Sequence, residues 1–263
     1  MRRATRGPMI MLSIRHWLPS VFGLLALADW LGAGELSVRS GPARAHLLEL
    51  YTSEGCSSCP PAERWLSTLT QSPRLWKSVV PVAFHVDYWD RLGWKDKLAS
   101  PANTARQRSY AAAWGTDTVY TPGFVLDGRE WRGRDLESLP APTTDAGILT
   151  GTFRDGGELL VTFYPSGKEL KPLEAHAALL GFGLKSGVTA GENGGRTLLH
   201  DFAVVGQAAA IMVERHNEFR ATLHLPRQGT VHDPFGLAVW VSEAGKLEPI
   251  QAAGGRAGLQ VSD

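Results

Sequence analysis

The chain has 263 residues, two cysteines, 27 lysines and arginines against 26 aspartates and glutamates, and a formal charge of +1. That balance offers no basic field to nucleic acid or anionic lipid, so neither is expected as a partner. A 43% apolar content and nine tryptophans suit a packed globule of one large domain or two small ones.

Residues 1–28 read as an export signal. Arg2, Arg3, Arg6 and Arg15 form a basic region, Trp17 to Ala28 is an apolar run, and Ala26-Leu27-Ala28 is an A-x-A cleavage pattern. The run is shorter than the ~20 apolar residues of a membrane span, so no stable span is expected after cleavage. Losing the four arginines leaves 23 basic residues against 26 acidic ones. Export implies an oxidising compartment, periplasmic or extracellular.

The strand-like run His46–Thr52 leads into Cys56-Ser57-Ser58-Cys59. Pro60 and Pro61 follow, then a helix-like stretch, 62–69. Strand, C-x-x-C and a helix opening on proline are the layout of a thiol–disulfide redox site. A thiolate gains from a helix N-terminus, and proline fits the first helical turn. This assigns Cys56 as the attacking sulfur and Cys59 as the resolving one. A static disulfide, a metal site or two unrelated buried thiols are the other readings of the pair. Structural zinc takes four ligands, and the chain has no second C-x-x-C and no H-x-x-x-H. No metal and no cofactor are therefore expected.

Glu49 interrupts the first strand, and a strand covered on both faces would bury it. Buried, it would titrate high and exchange a proton with Cys59; the alternative is a wet position near a sheet edge. Val79–Asp87 reads as a second, buried strand, joined to the first by a parallel, right-handed crossover. His85 and Asp87 stand at its C-terminal end, the edge that also carries the C-x-x-C turn. His85 is the candidate for tuning Cys56, or, with both thiolates, for binding metal. A helix over 102–114 comes next. Then come Thr121-Pro122, a strand 123–126, the Asp127-Gly128 hairpin turn and a partner strand 129–132.

Pro140 and Pro142 mark a linker, 139–150. Beyond it the apolar period becomes two, as in Leu159-Val161-Phe163, Phe219-Ala221-Leu223 and Leu237-Val239-Val241. This predicts an all-β, sandwich-like domain over 151–252 with no chemistry of its own. Gly191 to Arg196 reads as a hairpin loop, the one expected to reach the dithiol. A disordered tail, 253–263, completes the chain.

The order of elements from Cys56 to the hairpin resembles the thioredoxin fold. That resemblance implies a cis proline beside the sulfurs, and Pro122, after Thr121, holds the matching place. The segments LLELYTSEGCSSCPPAE, AFHVDYWDRLGWKDKLASPANTARQRSYA, VYTPGFVLDG and GENGGRTL resemble an uncharacterised family of secreted thioredoxin-like proteins, domain of unknown function 1223. Departures are the Ser-Ser dipeptide and the Glu54-Gly55 pair before Cys56. The expectation is an α/β thioredoxin-like domain, 44–138, followed by the β-rich one. The expected activity is disulfide exchange with protein thiols and a redox partner, carried by Cys56, Cys59, Pro122, Thr121, His85 and Glu49. A thioredoxin-fold binding protein without turnover and a periplasmic metallochaperone are the alternatives.

Overall fold

Two runs with no polar face fix the centre of the protein: β2 (His46–Thr52) and β3 (Val79–His85) are buried at every position. A strand buried on both faces needs cover on both sides. The structure, a computed structural model, describes residue 1 and residues 36–133, 139, 144–154, 156–167, 172–225 and 235–257. All but the first residue of the export signal therefore lies outside the described residues, as do residues 140–143 of the expected linker, while residues 147–150 of that linker are instead the start of a strand, Gly147–Phe153. β2 and β3 pair in parallel, in the register Thr52↔His85, and α1 (Cys59–Thr68) connects them. α2 (Pro101–Ala113) begins at a Ser100 cap whose hydroxyl accepts from Asn103 N, with Pro101 in its first turn. β4 (Gly123–Leu126) and β5 (Arg129–Glu130) form the expected hairpin. Asp127 and Gly128 both adopt positive φ there, as an Asp-Gly turn requires.

The remaining strands are β1 (Leu36–Arg39), β6 (Gly147–Phe153), β7 (Glu158–Pro165), β8 (Leu173–Gly181), β9 (Leu184–Gly187), β10 (Thr197–His200), β11 (Ala203–Ile211), β12 (Val213–Arg215), β13 (Glu218–His224), β14 (Phe235–Glu243) and β15 (Pro249–Arg256). They correct the expected fold class. The chain does not form an α/β thioredoxin-like domain followed by a separate sandwich. Among the described residues there are two short α-helices, and strands dominate. One eight-stranded sheet runs β15-β14-β8-β11-β3-β2-β4-β5, so strands from both sides of residues 139–150 share it. A five-stranded sheet runs β1-β6-β7-β13-β12 and likewise takes β1 from the N-terminal side. The described residues from Leu36 onward belong to one compact unit.

The physical reason lies in the alternation of β8 and β14. Ala175, Ala177, Leu179, Leu237 and Val239 pack with the five-stranded sheet. Ala178, Leu180, Ala238 and Trp240, on the opposite parity, pack with β2, β3 and α1. Both faces are apolar, so neither segment could stand alone with these strands exposed.

The expected disordered tail also needs correction, because β15 runs through 253–256. Its glycines are there for close approach. A Cβ at Gly254 would lie 2.3 Å from the Trp76 ring, and one at Gly255 2.9 Å from Val38.

Candidate functional site

Parity along β2 decides which side chains meet. Thr52 Oγ1 donates to Glu63 Oε1 of α1 at 2.5 Å. Glu49 and Tyr51, of the other parity, meet Arg106 and Tyr110 of α2. Glu49 is buried, as one sequence reading had it, but it accepts from Arg106 Nε (2.7 Å) and Nη2 (2.8 Å), Tyr51 (2.8 Å) and Tyr110 (2.5 Å). Burial first, and then the Glu49 carboxylate, push both tyrosines well above their usual range. The structure thus places Glu49 on the α2 face, while the carboxylate on the α1 face is Glu63. Glu63 follows Cys59 by one helical turn, on the same side of α1.

Cys56 and Cys59 are joined as a disulfide, and both residues are fully buried. Cys56 Sγ lies 3.3 Å from Ser58 Oγ and 3.8 Å from the carbonyl oxygen of Thr121. The Thr121–Pro122 bond is cis. Trp89 Nε1 donates to Thr121 Oγ1 at 2.8 Å and so ties this segment to the loop after β3. A Cβ on Gly55 would sit 2.9 Å from Trp89 Cβ, so only glycine lets that turn pass.

The loop between β9 and β10 closes over the motif. Buried Asn193 donates through Nδ2 to the carbonyls of Glu54 and Cys56, both at 2.9 Å. Glu192 Oε2 accepts from Ser57 N at 3.0 Å, which holds its carboxyl below the usual range. The helix end itself supplies few donors. Cys59 N bonds to Cys56 O at 3.2 Å, and Pro60 and Pro61 have no N–H.

Beneath the motif lies a buried ionisable cluster that sequence reasoning mostly missed. His85 shares the register and face of Thr52, and its Nδ1 meets Asp96 Oδ2 at 2.7 Å. Asp96 also accepts from Glu54 N and Leu98 N. Burial opposes its charge, but His85 and these donors hold Asp96 down to about 2. Burial likewise opposes a charged His85, and Asp96 overrides it and raises its pKa. His200, at the end of β10, packs edge-on against His85 with ring centroids 5.0 Å apart. Its Nδ1 meets Glu63 Oε2 at 2.5 Å, and its Nε2 stands 3.2 Å from Glu54 Oε1 without hydrogen-bond alignment. Burial would lower its pKa; the two carboxylates instead raise it to about 10. Trp94 Nε1 donates to Glu54 Oε2 at 2.6 Å.

Asp87, grouped with His85 in the sequence, departs from it: β3 ends at His85, and Asp87 accepts from Thr104 of α2 at 2.6 Å. The segment after residue 150 was expected to bring no chemistry, yet it contributes His200, Glu192 and Asn193. Glu63 was legible as a carboxylate one turn from Cys59. His200 carries no local signal at all.

A family model described as "Protein of unknown function (DUF1223)" matches residues 47–242. No curated protein matches the chain. A structural-genomics protein from Agrobacterium tumefaciens is 24% identical, with a TM-score of 0.56 over 85% of this chain and 99% of its own. The protein HBP35 of Porphyromonas gingivalis is 15% identical, with a TM-score of 0.54 over 85% of this chain and 81% of its own. At these identities the two likenesses speak for the fold alone.

Proposed function

The chain belongs to the DUF1223 family, and we propose that this member is an exported protein, periplasmic or secreted, that exchanges disulfides with protein thiols through Cys56 and Cys59. The observation that carries the reading is the reversible-type spacing itself: two cysteines three apart, disulfide-bonded, where β2 turns into α1. A partner thiolate attacks Cys56 Sγ. The partner–Cys56 bond forms as the Cys56–Cys59 bond breaks, and the electron pair leaves on Cys59, which takes up a proton. A second partner thiolate then attacks the partner sulfur of the mixed disulfide. This releases the partner's disulfide and leaves both cysteines reduced, two electrons richer. The same steps run in reverse from the dithiol.

The test is exchange between the oxidised full chain and a reduced, unfolded protein. Cys56→Ser should bring the rate down to that of buffer alone. In the reverse direction, reduced Cys59→Ser given a disulfide-bonded substrate should attack it through Cys56, release one substrate thiolate and stay trapped as a mixed disulfide, visible as a shifted band that dithiothreitol removes. A Cys59→Ser variant that never traps substrate, under conditions where small thiols reduce the wild type, sinks the proposal.

The burial of both cysteines favours a second reading, a static clasp between the 53–56 turn and α1. The β9–β10 loop separates the two. Asn193→Ala removes three hydrogen bonds of a fully buried side chain, two to the motif's carbonyls and one from Arg196, at a cost of about 1–3 kcal/mol. If the loop gates the disulfide, reduction by dithiothreitol should speed up at least about tenfold, since opening by 1.4 kcal/mol is a factor of ten. An unchanged reduction rate points to the clasp.

A further inference from the structure

The cluster under the motif contains three buried carboxylates, Glu54, Glu63 and Asp96, and among the described residues their ion pairs are all to histidine. Buried charge of one sign is costly unless it is paired. Protons on His85 and His200 are one way to balance it. A divalent cation is another, and the donor atoms are arranged for that.

His85 Nδ1 is committed to Asp96, which leaves Nε2 as the free nitrogen, fully buried and without a hydrogen-bond partner. His200 Nδ1 is committed to Glu63, and its Nε2 is again buried without a hydrogen-bond partner. For His85, fixed by Asp96 at Nδ1 and bare at Nε2, this is the arrangement of a metal ligand with its supporting shell. One donor atom from each of Glu63, His85 and His200 lies within 4.8 Å of the other two. To meet on one ion at the usual ~2.0–2.2 Å these donors would have to close in, with Glu63 exchanging its contact with His200 Nδ1 for the ion. Glu54 Oε1, without a hydrogen-bond partner and 3.2 Å from His200 Nε2, stands beside them as a fourth donor.

We propose that Glu63, His85 and His200 bind one divalent cation of the zinc class, with Glu54 completing the shell. Two imidazoles with carboxylate oxygen suit zinc and its first-row neighbours rather than calcium or magnesium. The site is distinct from a thiolate site. It uses neither sulfur and is complete with the disulfide closed. The sequence expectation of no metal rested on the dithiol and one histidine; three of these four ligands come from outside that set.

The test titrates the chelator-stripped full chain, disulfide intact, with Zn²⁺ by calorimetry and with Co²⁺ by visible absorption. The expected result is one equivalent of Zn²⁺, and Co²⁺ bands of a four-coordinate site that Zn²⁺ bleaches. His85→Ala and Glu63→Gln should each weaken Zn²⁺ binding at least about 100-fold. Asp96→Asn, which touches only the supporting shell, should weaken it about 10–100-fold. Cys56→Ser/Cys59→Ser should leave the stoichiometry and the Co²⁺ bands unchanged. Should a histidine variant fail to fold, the wild type still decides. Saturating Zn²⁺ must raise its melting temperature, and a chelator must reverse the rise, because an ion that binds only the folded state stabilises it. No heat, no Co²⁺ bands and no shift in melting temperature overturn the proposal. Binding lost in the double cysteine variant overturns it equally, by moving the ion to the sulfurs.

Discussion

Arg106→Met should destabilise the protein by about 3–5 kcal/mol, enough to remove most of the stability of an ordinary domain. Arg106 is the cation that answers Glu49. It makes a two-pronged contact with that carboxylate and lies over the rings of Phe84 (5.5 Å), Tyr110 (5.4 Å) and Trp240 (5.1 Å). Methionine keeps much of the stem but leaves a buried carboxylate with only tyrosine hydroxyls. Urea unfolding at neutral pH measures the loss. Adding Glu49→Gln to Arg106→Met should recover a large part of it, because the double variant buries no unpaired charge. A single-variant loss below about 1 kcal/mol would mean that water reaches Glu49.

Stability should also fall steeply between pH 6.5 and 3, and His176 is one identifiable source. Burial, and then the neighbouring Arg106 charge, push its pKa down to about 3. It stacks on Trp240 at a centroid distance of 5.4 Å, and its Nε2 meets Ser242 Oγ at 3.0 Å. The sign follows from where protons bind. Below pH 6.5 the unfolded chain protonates this histidine and the folded one does not, so acid favours unfolding until the folded pKa is reached. Integrated over that window the effect is about 5 kcal/mol at most. His176→Gln keeps a partner for Ser242 and removes the titration. Its stability curve should be flatter than the wild type's over the window, with the two converging toward pH 7 and above. Parallel curves would assign the acid loss elsewhere.

Local elements were legible in the sequence, and their assembly was not. The apolar runs of β2 and β3, the proline-led helices and the Asp127-Gly128 turn each carry a short-range signal. Glu49 stood out as a carboxylate in a buried strand, but its partner is 57 residues away on α2. Period-two alternation found β7 and β13, which have one apolar face. It also found β14, where it misled. β14 is buried on both parities, and that is the mark of a strand inside a larger sheet rather than a sandwich wall. The C-x-x-C motif drew attention to the sulfurs and away from Glu54, Asp96 and His200, which meet only after the sheet has formed.

The shared sheet has a consequence for how the chain is made. β3 receives its second neighbour from β11, through the single pair Ala203↔Ala83, 120 residues apart in the chain. Contacts of such high sequence separation are the slowest to form, since the loop entropy is spent before the contact returns anything. During synthesis, and during any threading across a membrane, β3 would therefore wait with an open apolar edge until β8, β11 and β14 had emerged. Open edges of this kind recruit other chains. The cysteines emerge long before His200 and the loop that covers them. In that interval they are open to any oxidant or foreign thiol, so the order of emergence gives an incomplete chain an exposed pair that the finished protein hides.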